Sequence, residues 1–475
     1  MREKRLHKIV YALCTLDDSQ KILRITCYFI LVITLLTIFV CILWNANWIF
    51  GDDHQIVRTT AMNKTGLYGH RGGGRYWPLG LFDYNLLVFI PFGCTPLGHY
   101  VYNVVIFLLT FVCTACLLKT IVHENTKSLL FITFVFSTLF VTRSFLYIYM
   151  EVIFAERIML LFLSIFMISY LKGKEMQQNS YYFIALSSAC YLTYCKEPMF
   201  GVWLTTALTN LFFGYKSMSK KESVFHLLLI ANSIVYFVQW FFLEFLSTKT
   251  FYNDVLGWPG TREELILKIC RSDPILCLLF SVFIIRLFHV VVKRDKKHLY
   301  FDGLLFGAVC YTAAFICLKL WRFYYFLTSV WLSIPGLVYW ADFLIKKNKC
   351  KTVIFLLTST FLAVASSAGT VVKSIQTIHN ARKNDMKIIK KIAVWQQSGT
   401  TILFYGENNW YYTIWNSFLK YWTKSNDDVK KVNNLSEISD SDVVICQPNK
   451  ETEPLEKRGF SIVINTTNGN VLKIN

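Results

Sequence analysis

The chain has 475 residues, of which 54% are apolar and 17% are charged, whereas soluble domains carry about 25% charged residues. Its net charge is +19, but its mean hydropathy is +0.42, so the cations are not spread over a polar surface. This composition excludes an ordinary soluble enzyme and a nucleic-acid-binding protein. It predicts an all-α polytopic membrane protein that carries its cations in short loops.

The first apolar run, 22–44, is long enough for a helix that crosses about 30 Å of hydrocarbon. It lacks a small-residue cleavage site, so we predict a retained transmembrane helix rather than a signal peptide. Further apolar runs bring the prediction to about eleven transmembrane helices in the lipid bilayer. The predicted spans are 22–44, 99–118, 128–146, 157–172, 181–195, 199–215, 223–246, 273–292, 303–320, 325–345 and 352–372.

Clusters of Lys and Arg alternate with these spans and set the predicted orientation. They precede the first span and recur at 172–174, 216–221, 293–297 and 346–351. Because cytoplasmic loops concentrate Lys and Arg, the N-terminus is predicted to be cytoplasmic. An odd number of spans then places the C-terminal segment on the outer side of the membrane.

The C-terminal segment, 373–475, is polar and charged in contrast to the preceding chain. Runs at 400–405, 442–446 and 460–465 have the composition of short strands, and 410–422 has aromatic residues at helical spacing. We predict a small α/β domain outside the membrane over 373–475, after a transmembrane domain over 1–372. The transmembrane domain includes a long first outer loop, about 45–98.

An acidic pair, Asp52 and Asp53, follows the first span and is followed by His54. Carboxylates at the hydrocarbon boundary are costly unless they face water, a cation or a substrate. One carboxylate of such a pair can accept a proton from a hydroxyl while the other binds sugar hydroxyls or a divalent cation such as Mg²⁺ or Mn²⁺. A solvated helix cap is the alternative interpretation.

The same loop continues with three glycines between Arg71 and Arg75. Backbone amides and guanidinium groups in such a run can approach an anion closely, which favours a phosphate site. A flexible hinge with two solvated arginines is the alternative. The following segment, 81–96, is apolar but broken by polar residues and proline, so it is predicted to lie in the membrane interface.

Further charged and aromatic side chains are predicted at outer helix ends, on the same face as the acidic pair. They are Glu156, Arg157, Lys196, Glu197, Arg322 and Tyr324. Each alone is typical of a snorkelling or locally paired charge. Together they are what a reaction on a lipid-linked phosphate would need.

These motifs resemble polytopic glycosyltransferases of the GT-C fold that use polyprenyl-phosphate sugars as donors. The matching elements are the acidic pair after the first helix, Gly74-Arg75-Tyr76-Trp77-Pro78, Ala155-Glu156-Arg157, Cys195-Lys196-Glu197-Pro198, Arg322-Phe323-Tyr324-Tyr325 and the outer C-terminal segment. The size and the single small C-terminal domain look most like bacterial and phage O-antigen glucosyltransferases that change serotype. The resemblance implies the bacterial inner membrane, with the C-terminal domain in the periplasm.

The resemblance also implies roles for individual residues. Asp52, with Asp53 as second candidate, would be the general base, and the arginines with Lys196 and Glu197 would line the donor cavity. The expected reaction transfers a hexose, specifically glucose, from undecaprenyl phosphate to the O-antigen of lipopolysaccharide, with inversion of the anomeric configuration. The acceptor would be contacted by Trp410, Tyr411, Tyr412 and Trp415, unless these residues form the core of the small domain. No other cofactor is implied.

Two alternatives remain open on the sequence. A flippase or exporter of lipid-linked sugars shares the composition, although transporters tend to place charge near the membrane midplane on repeated, broken helices. GT-C transferases that act on another acceptor, such as a protein, lipid A or teichoic acid, share the layout.

Overall fold

The computed structural model describes residues 18–474 except 51–52, 70, 73–74, 141, 249–256, 273, 296–297, 323, 348–353, 355–356, 360, 363–364, 366–367, 426–427, 449 and 467–468. Helices dominate the part before residue 400. They are α1 (Asp18–Trp44), α2 (His54–Arg58), α3 (Pro96–Ile121), α4 (Asn125–Phe140), α5 (Arg143–Met150), α6 (Glu156–Met176), α7 (Asn179–Thr193), α8 (Met199–Gly214), α9 (Lys220–Trp240), α10 (Arg262–Ser272), α11 (Pro274–Val291), α12 (Leu299–Cys317), α13 (Leu327–Lys346) and α14 (Ala368–Gln397).

Five of these helices, α1, α3, α9, α12 and α13, are long and apolar enough to cross a membrane. Two bent pairs, α4 with α5 and α10 with α11, raise the number to seven if each pair is one span. The chain is therefore an integral membrane protein, with five to seven candidate spans among the described residues where the sequence predicts about eleven.

The difference from eleven has identifiable causes. Helices α7 and α8 have 15 and 16 residues, and α6 has charged residues at both ends. A helix of that length rises only about 24 Å, short of the hydrocarbon thickness. The last predicted span, 352–372, lies largely outside the described residues, so the count of eleven stays a prediction.

Close helix packing in the bundle depends on glycine, most clearly between α8 and α12. A Cβ atom on Gly303 would lie 2.5 Å from Asn210 Nδ2, and one on Gly307 would lie 2.9 Å from Thr206 Oγ1. Thr206 Oγ1 also donates a hydrogen bond to the carbonyl of Gly303 (3.0 Å). Small residues one turn apart let two helices approach closely where no hydrophobic effect drives them together.

The first long loop, 45–98, is folded rather than extended. It contains α2, a two-stranded hairpin of β1 (Arg71–Gly72) and β2 (Arg75–Tyr76), and a 3-10 helix, Phe82–Phe89. This 3-10 helix buries Asp83 and Tyr84 and exposes Phe82 and Phe89. At eight residues it is too short to cross a membrane, so the segment is not a span, and its location in the membrane interface stays a prediction.

The C-terminal segment forms a five-stranded sheet in the order β4-β3-β5-β7-β6. Strands β4, β3 and β5 are parallel, and β7 and β6 are antiparallel to their neighbours. The elements are β3 (Ile402–Tyr405), α15 (Asn409–Thr423), β4 (Lys430–Val432), β5 (Val443–Cys446), α16 (Glu453–Glu456), β6 (Phe460–Thr466) and β7 (Gly469–Ile474).

The three predicted strands and the predicted aromatic helix are confirmed as β3, β5, β6 and α15. Every residue of β3 and β5 is buried, which explains their continuous apolar sequence. The predicted boundary at 372/373 falls inside α14, so the division into two domains stays a prediction. Helix α14 packs against α15, and α15 packs against α2 of the first loop.

Candidate active site

The N-terminus of α6, the turn between α7 and α8, and the first long loop meet at one end of the helix bundle. Glu156 is the first residue of α6, and Lys196 lies in the turn between α7 and α8. Lys196 Nζ is 2.8 Å from Glu156 Oε1, and the two side chains are 5% and 1% exposed. The sequence placed both residues on one outer face, and the structure joins them in a buried ion pair.

Aromatic rings enclose the ammonium group of Lys196. Its Nζ lies 4.9 Å from the ring centroid of Tyr325, 5.4 Å from that of Trp77 and 6.0 Å from that of Tyr324. Ring faces attract a cation, and they do so more strongly where water is excluded. A Cβ atom on Gly80 would lie 2.2 Å from the Trp77 ring, so a glycine is needed to admit this ring.

A second ion pair joins the loop hairpin to the same turn. Arg75 Nε donates to Glu197 Oε1 at 2.7 Å, and the amide of Tyr76 donates to the same oxygen at 3.2 Å. Burial disfavours the charged carboxylate, but the cations of Arg75 and Lys196 outweigh it and hold the pKa of Glu197 below its usual value. The hydroxyl of Tyr236 donates to the carbonyl of Tyr76, which fixes the strand from its other side.

A third pair, Arg157 with Asp83, holds the 3-10 helix Phe82–Phe89 on α6. Arg157 Nη1 and Nη2 donate to the two carboxylate oxygens of Asp83 at 2.7 Å and 3.2 Å. The guanidinium carbon is 3.8 Å from the ring centroid of Tyr84 and 5.7 Å from that of Tyr102. Arg157 is completely buried, so it holds the first loop on α6 and does not face an open surface.

Asp53 and His54 begin α2, under the C-terminal segment. Asp53 is fully buried, and its Oδ2 accepts a hydrogen bond from the amide of Ile49 at 2.6 Å. The ring of His54 lies 5.9 Å from that of Trp410, edge to face. Asp52, the other half of the acidic pair, lies outside the described residues.

Helix α15 covers this part of the loop with aromatic side chains. The ring centroid of Phe50 lies 4.5 Å from that of Trp415 and 5.1 Å from that of Phe418. Trp415 is fully buried and belongs to this core, whereas Trp410 is 45% exposed. Of the predicted acceptor-contacting aromatics, Trp410 is therefore the most exposed and lies beside His54, whereas Tyr411 and Tyr412 are half-buried.

Arg382 on α14, which the sequence analysis missed, ties the linker helix to the start of the loop. Its Nη1 donates to the carbonyl of Asn45 and to the hydroxyl of Tyr100, both at 2.9 Å. Its Nη2 lies 3.5 Å from Glu151 Oε1 in the turn before α6. Arg382 is buried, and its contacts connect the C-terminal segment to the start of the loop that carries the acidic pair.

The remaining predicted site residues are brought together only in part. Tyr324 joins the Lys196 cluster and lies 4.3 Å from the ring centroid of Phe154. Arg322 is half-buried and its Nη1 donates only to the carbonyl of Trp321 at 3.5 Å; within the described part of the chain it has no ion pair. For Arg71 the structure describes only the backbone, which pairs with Tyr76.

A divalent cation would need at least one further ligand beside Asp53. Among the described residues there is no group of three or more His, Cys, Asp or Glu side chains that could hold a metal ion. The predicted cation site depends on Asp52 and stays a prediction.

Two of the missed residues carried a signal in the sequence. Arg382 falls on the buried stripe of α14 that includes Met386 and Ile389, and an arginine on such a stripe indicates a buried partner. Asp83 interrupts an apolar segment in the same way. The contacts of Trp77 and Tyr325 with Lys196 join distant loops, and no local pattern predicts them.

No protein-family model matches the sequence, and no curated protein matches it significantly. Similar solved structures include ArnT from Cupriavidus metallidurans bound to undecaprenyl phosphate, with a TM-score of 0.56 and 10% sequence identity over 94% of this chain and 97% of that chain. The apo state of the same protein gives a TM-score of 0.55, also with 10% identity and the same coverage. The similarity covers nearly the whole of both chains, and it shows that this protein has the GT-C fold of ArnT.

Proposed function

We propose that the chain is an inverting membrane glycosyltransferase that moves a hexose, glucose, from undecaprenyl phosphate to the O-antigen of lipopolysaccharide on the periplasmic face. The observation that carries the proposal is the set of three ion pairs at the end of the bundle where the first loop folds: Glu156–Lys196 and Asp83–Arg157, which are buried, and Arg75–Glu197, which is half-buried. Buried charge is costly, and its concentration at one end of an apolar bundle points to a functional site.

The donor is proposed from the fold and from the cations. ArnT, which has the same fold, binds undecaprenyl phosphate. A lipid phosphate needs a cation that is not already neutralised, and Arg322 has no ion pair among the residues described. We assign the phosphate to Arg322, with Arg75 and Lys196 setting the positive potential behind it.

The acceptor hydroxyl is activated by the acidic pair. Asp53 is fully buried and accepts an amide hydrogen bond from its own turn, which suits a loop-fixing role, so we assign the general base to Asp52. Asp52 takes the hydroxyl proton, the oxygen attacks the anomeric carbon, and the bond from that carbon to the phosphate oxygen breaks. Undecaprenyl phosphate leaves as an anion, and the anomeric configuration inverts.

The test is the composition and linkage of the O-antigen in cells that express the wild type or Asp52→Asn with Asp53→Asn, at matched membrane levels. The matched control is Asp440→Asn with Glu451→Gln, which removes two exposed carboxylates of the C-terminal segment. We expect a new sugar branch with the wild type and the control, and none with the double variant. A glycan unchanged in all strains, with lipid-linked sugar redistributed across the membrane, would instead show transport.

The acceptor is tested separately with purified protein and radiolabelled undecaprenyl phosphoglucose. Label that enters protein, lipid A or teichoic acid while O-antigen stays unlabelled would keep the transferase and replace the acceptor. Trp410→Ala is expected to raise the KM for the acceptor with little change in kcat, because Trp410 is exposed beside His54.

A further inference from the structure

A polar crevice lies at the opposite end of the bundle from the candidate active site. Lys174, on its wall, is eighteen residues after Glu156 on α6, which at 1.5 Å per residue is about 27 Å along the helix. The crevice encloses about 990 Å³ including its open mouth. Its wall includes Lys174, Asn210, Glu222, Arg294, Asp295 and Leu299.

Both carboxylates on the wall have cationic partners. Glu222 Oε1 is 3.1 Å from Lys174 Nζ, and Asp295 Oδ2 is 3.2 Å from Arg286 Nη1. The exposed side chain of Arg294 makes no ion pair or hydrogen bond within the described part of the chain. Arg294 is therefore the cation available to a ligand, and its backbone has φ of 53°, a conformation that side-chain-bearing residues adopt infrequently.

The surroundings of the crevice add positive charge. Exposed cations flank it just before α9, in the first turn of α9 and after α11: Lys216, Lys220, Lys221 and Lys293. Arg286 balances only one of its two carboxylate partners, Asp295 and Asp302, and Glu175 beside Lys174 is exposed. The four flanking lysines and Arg294 outnumber these carboxylates, so the field at the mouth favours an anion.

The wall also offers a hydrogen-bond acceptor. Asn210 is fully buried, and its Nδ2 donates to the carbonyl of Thr206 at 2.8 Å. Its Oδ1 accepts no hydrogen bond from the described residues. A buried acceptor of this kind is satisfied by a hydrogen-bond donor such as a hydroxyl group, which a choline group lacks.

The crevice opens where apolar side chains face outward. Phe212, on α8 near Asn210, is 82% exposed, and Tyr215, directly after α8, is 66% exposed. Val292, two residues before Arg294, is also exposed. Candidate membrane spans begin at this end with Lys220 and Leu299. The mouth therefore lies at the boundary between hydrocarbon and water, where lipid headgroups are found.

We propose that this crevice binds the headgroup of an anionic phospholipid whose phosphate is followed by hydroxyl groups, as in phosphatidylglycerol. The phosphate lies against Arg294 and the field of Lys174, and the glycerol hydroxyls face Asn210 and the Glu222 carboxylate. Basic pockets between transmembrane helices are a recurrent way of holding anionic lipids. The proposal does not depend on the transferase function, because the two sites lie at opposite ends of α6.

The experiment is native mass spectrometry of the full chain released from an equimolar mixture of phosphatidylglycerol and phosphatidylethanolamine with identical acyl chains. Arg294→Gln is compared with Lys293→Gln, which removes the same charge from the neighbouring exposed residue. We expect retained phosphatidylglycerol to fall about fivefold in Arg294→Gln, because a direct charge-assisted contact with the phosphate is lost, and to stay near the wild-type level in Lys293→Gln.

Equal losses in both variants would show non-specific surface attraction, and no loss in either would show that the crevice is not the site; both outcomes overturn the proposal. Asn210→Leu is expected to lower the preference for phosphatidylglycerol over phosphatidic acid, and an unchanged ratio would overturn the hydroxyl contact. Soluble glycerol 3-phosphate is the second probe. If glycerol 3-phosphate displaces the bound lipid completely at millimolar concentration, the site binds a soluble phosphate compound and its assignment to a lipid is wrong.

Discussion

At its first residue α6 places Glu156 against Lys196, and near its last turn it places Lys174 against Glu222. Both are lysine–glutamate pairs with nitrogen–oxygen distances close to 3 Å, but Lys196 is enclosed by three aromatic rings and Lys174 is 37% exposed. The same type of ion pair thus occurs once where water is excluded and once at an open crevice. Because solvent screening decides what an ion pair contributes, the two ends should respond very differently to the same substitution.

The largest expected effect is that of Lys196→Met at the closed end. It leaves the buried Glu156 carboxylate without its cation, and breaking a buried pair in this way costs about 3–5 kcal/mol of the free energy of unfolding. Titration of the detergent-solubilised protein with denaturant measures the loss. The double variant Glu156→Gln with Lys196→Met is expected to regain most of it, and a double variant as unstable as the single one would show that the pair is not the cause.

The next largest effect is expected for Arg157→Lys, which keeps the positive charge and removes the paired N–H donors of the guanidinium group. Lysine cannot donate to both oxygens of Asp83, and it loses the planar stacking of the guanidinium on Tyr84. We expect a loss of about 2 kcal/mol, less than for Lys196→Met because a cation remains near Asp83. A melting curve unchanged from that of the wild type would contradict this reading of the pair.

The open end supplies the matched comparison, Lys174→Met. Here water reaches the lysine, so the expected loss is about 1 kcal/mol or less, although Glu222 itself is buried. Addition of 0.5 M NaCl to the wild type should reproduce part of this loss and should leave the Lys196 pair unaffected. A loss as large as that of Lys196→Met would show that exposure of the lysine does not set the difference.

How far the sequence could predict this architecture depends on the range of the interactions. Apolar runs predict α1, α3 and α9 because a membrane span is a property of consecutive residues, and β3, β5 and α15 follow from local period and composition in the same way. The number of spans is less accessible. Helices such as α7 and α8 are apolar yet short, and only their packing decides how they lie.

For the site, the sequence identifies which side chains are unusual but not which of them meet. Glu156, Lys196 and Glu197 stand out as charges at helix ends, whereas their partners lie 40 to 122 positions away in the chain, as in the pair of Arg75 with Glu197. Arg157 is a case in point. Its motif resembles a substrate-facing element, but its bidentate bond to Asp83 places it inside the fold.

The smallest expected effect has the opposite sign and concerns Asp385, one turn after Arg382 on α14. Burial raises the pKa of Asp385 to about 6, while the neighbouring Arg382 is engaged by Glu151, Tyr100 and Asn45. An unfolded aspartate has a pKa of about 3.9, so between about pH 4 and pH 6 the folded protein binds more protons than the unfolded one. Stability on account of this group is therefore highest below pH 4 and falls as the pH rises through 6.

Asp385→Asn removes that fall, because the amide stays neutral at every pH. We expect the gain of the variant over the wild type to be about 0.5–1 kcal/mol larger at pH 7.5 than at pH 4.5, a value reduced for the water that still reaches the carboxyl. Thermal unfolding at the two pH values measures the difference, and Glu451→Gln controls for the loss of one exposed negative charge. A gain that is equal at both pH values would point to an effect other than the titration of Asp385, since only a carboxyl with a raised pKa makes the gain grow with pH.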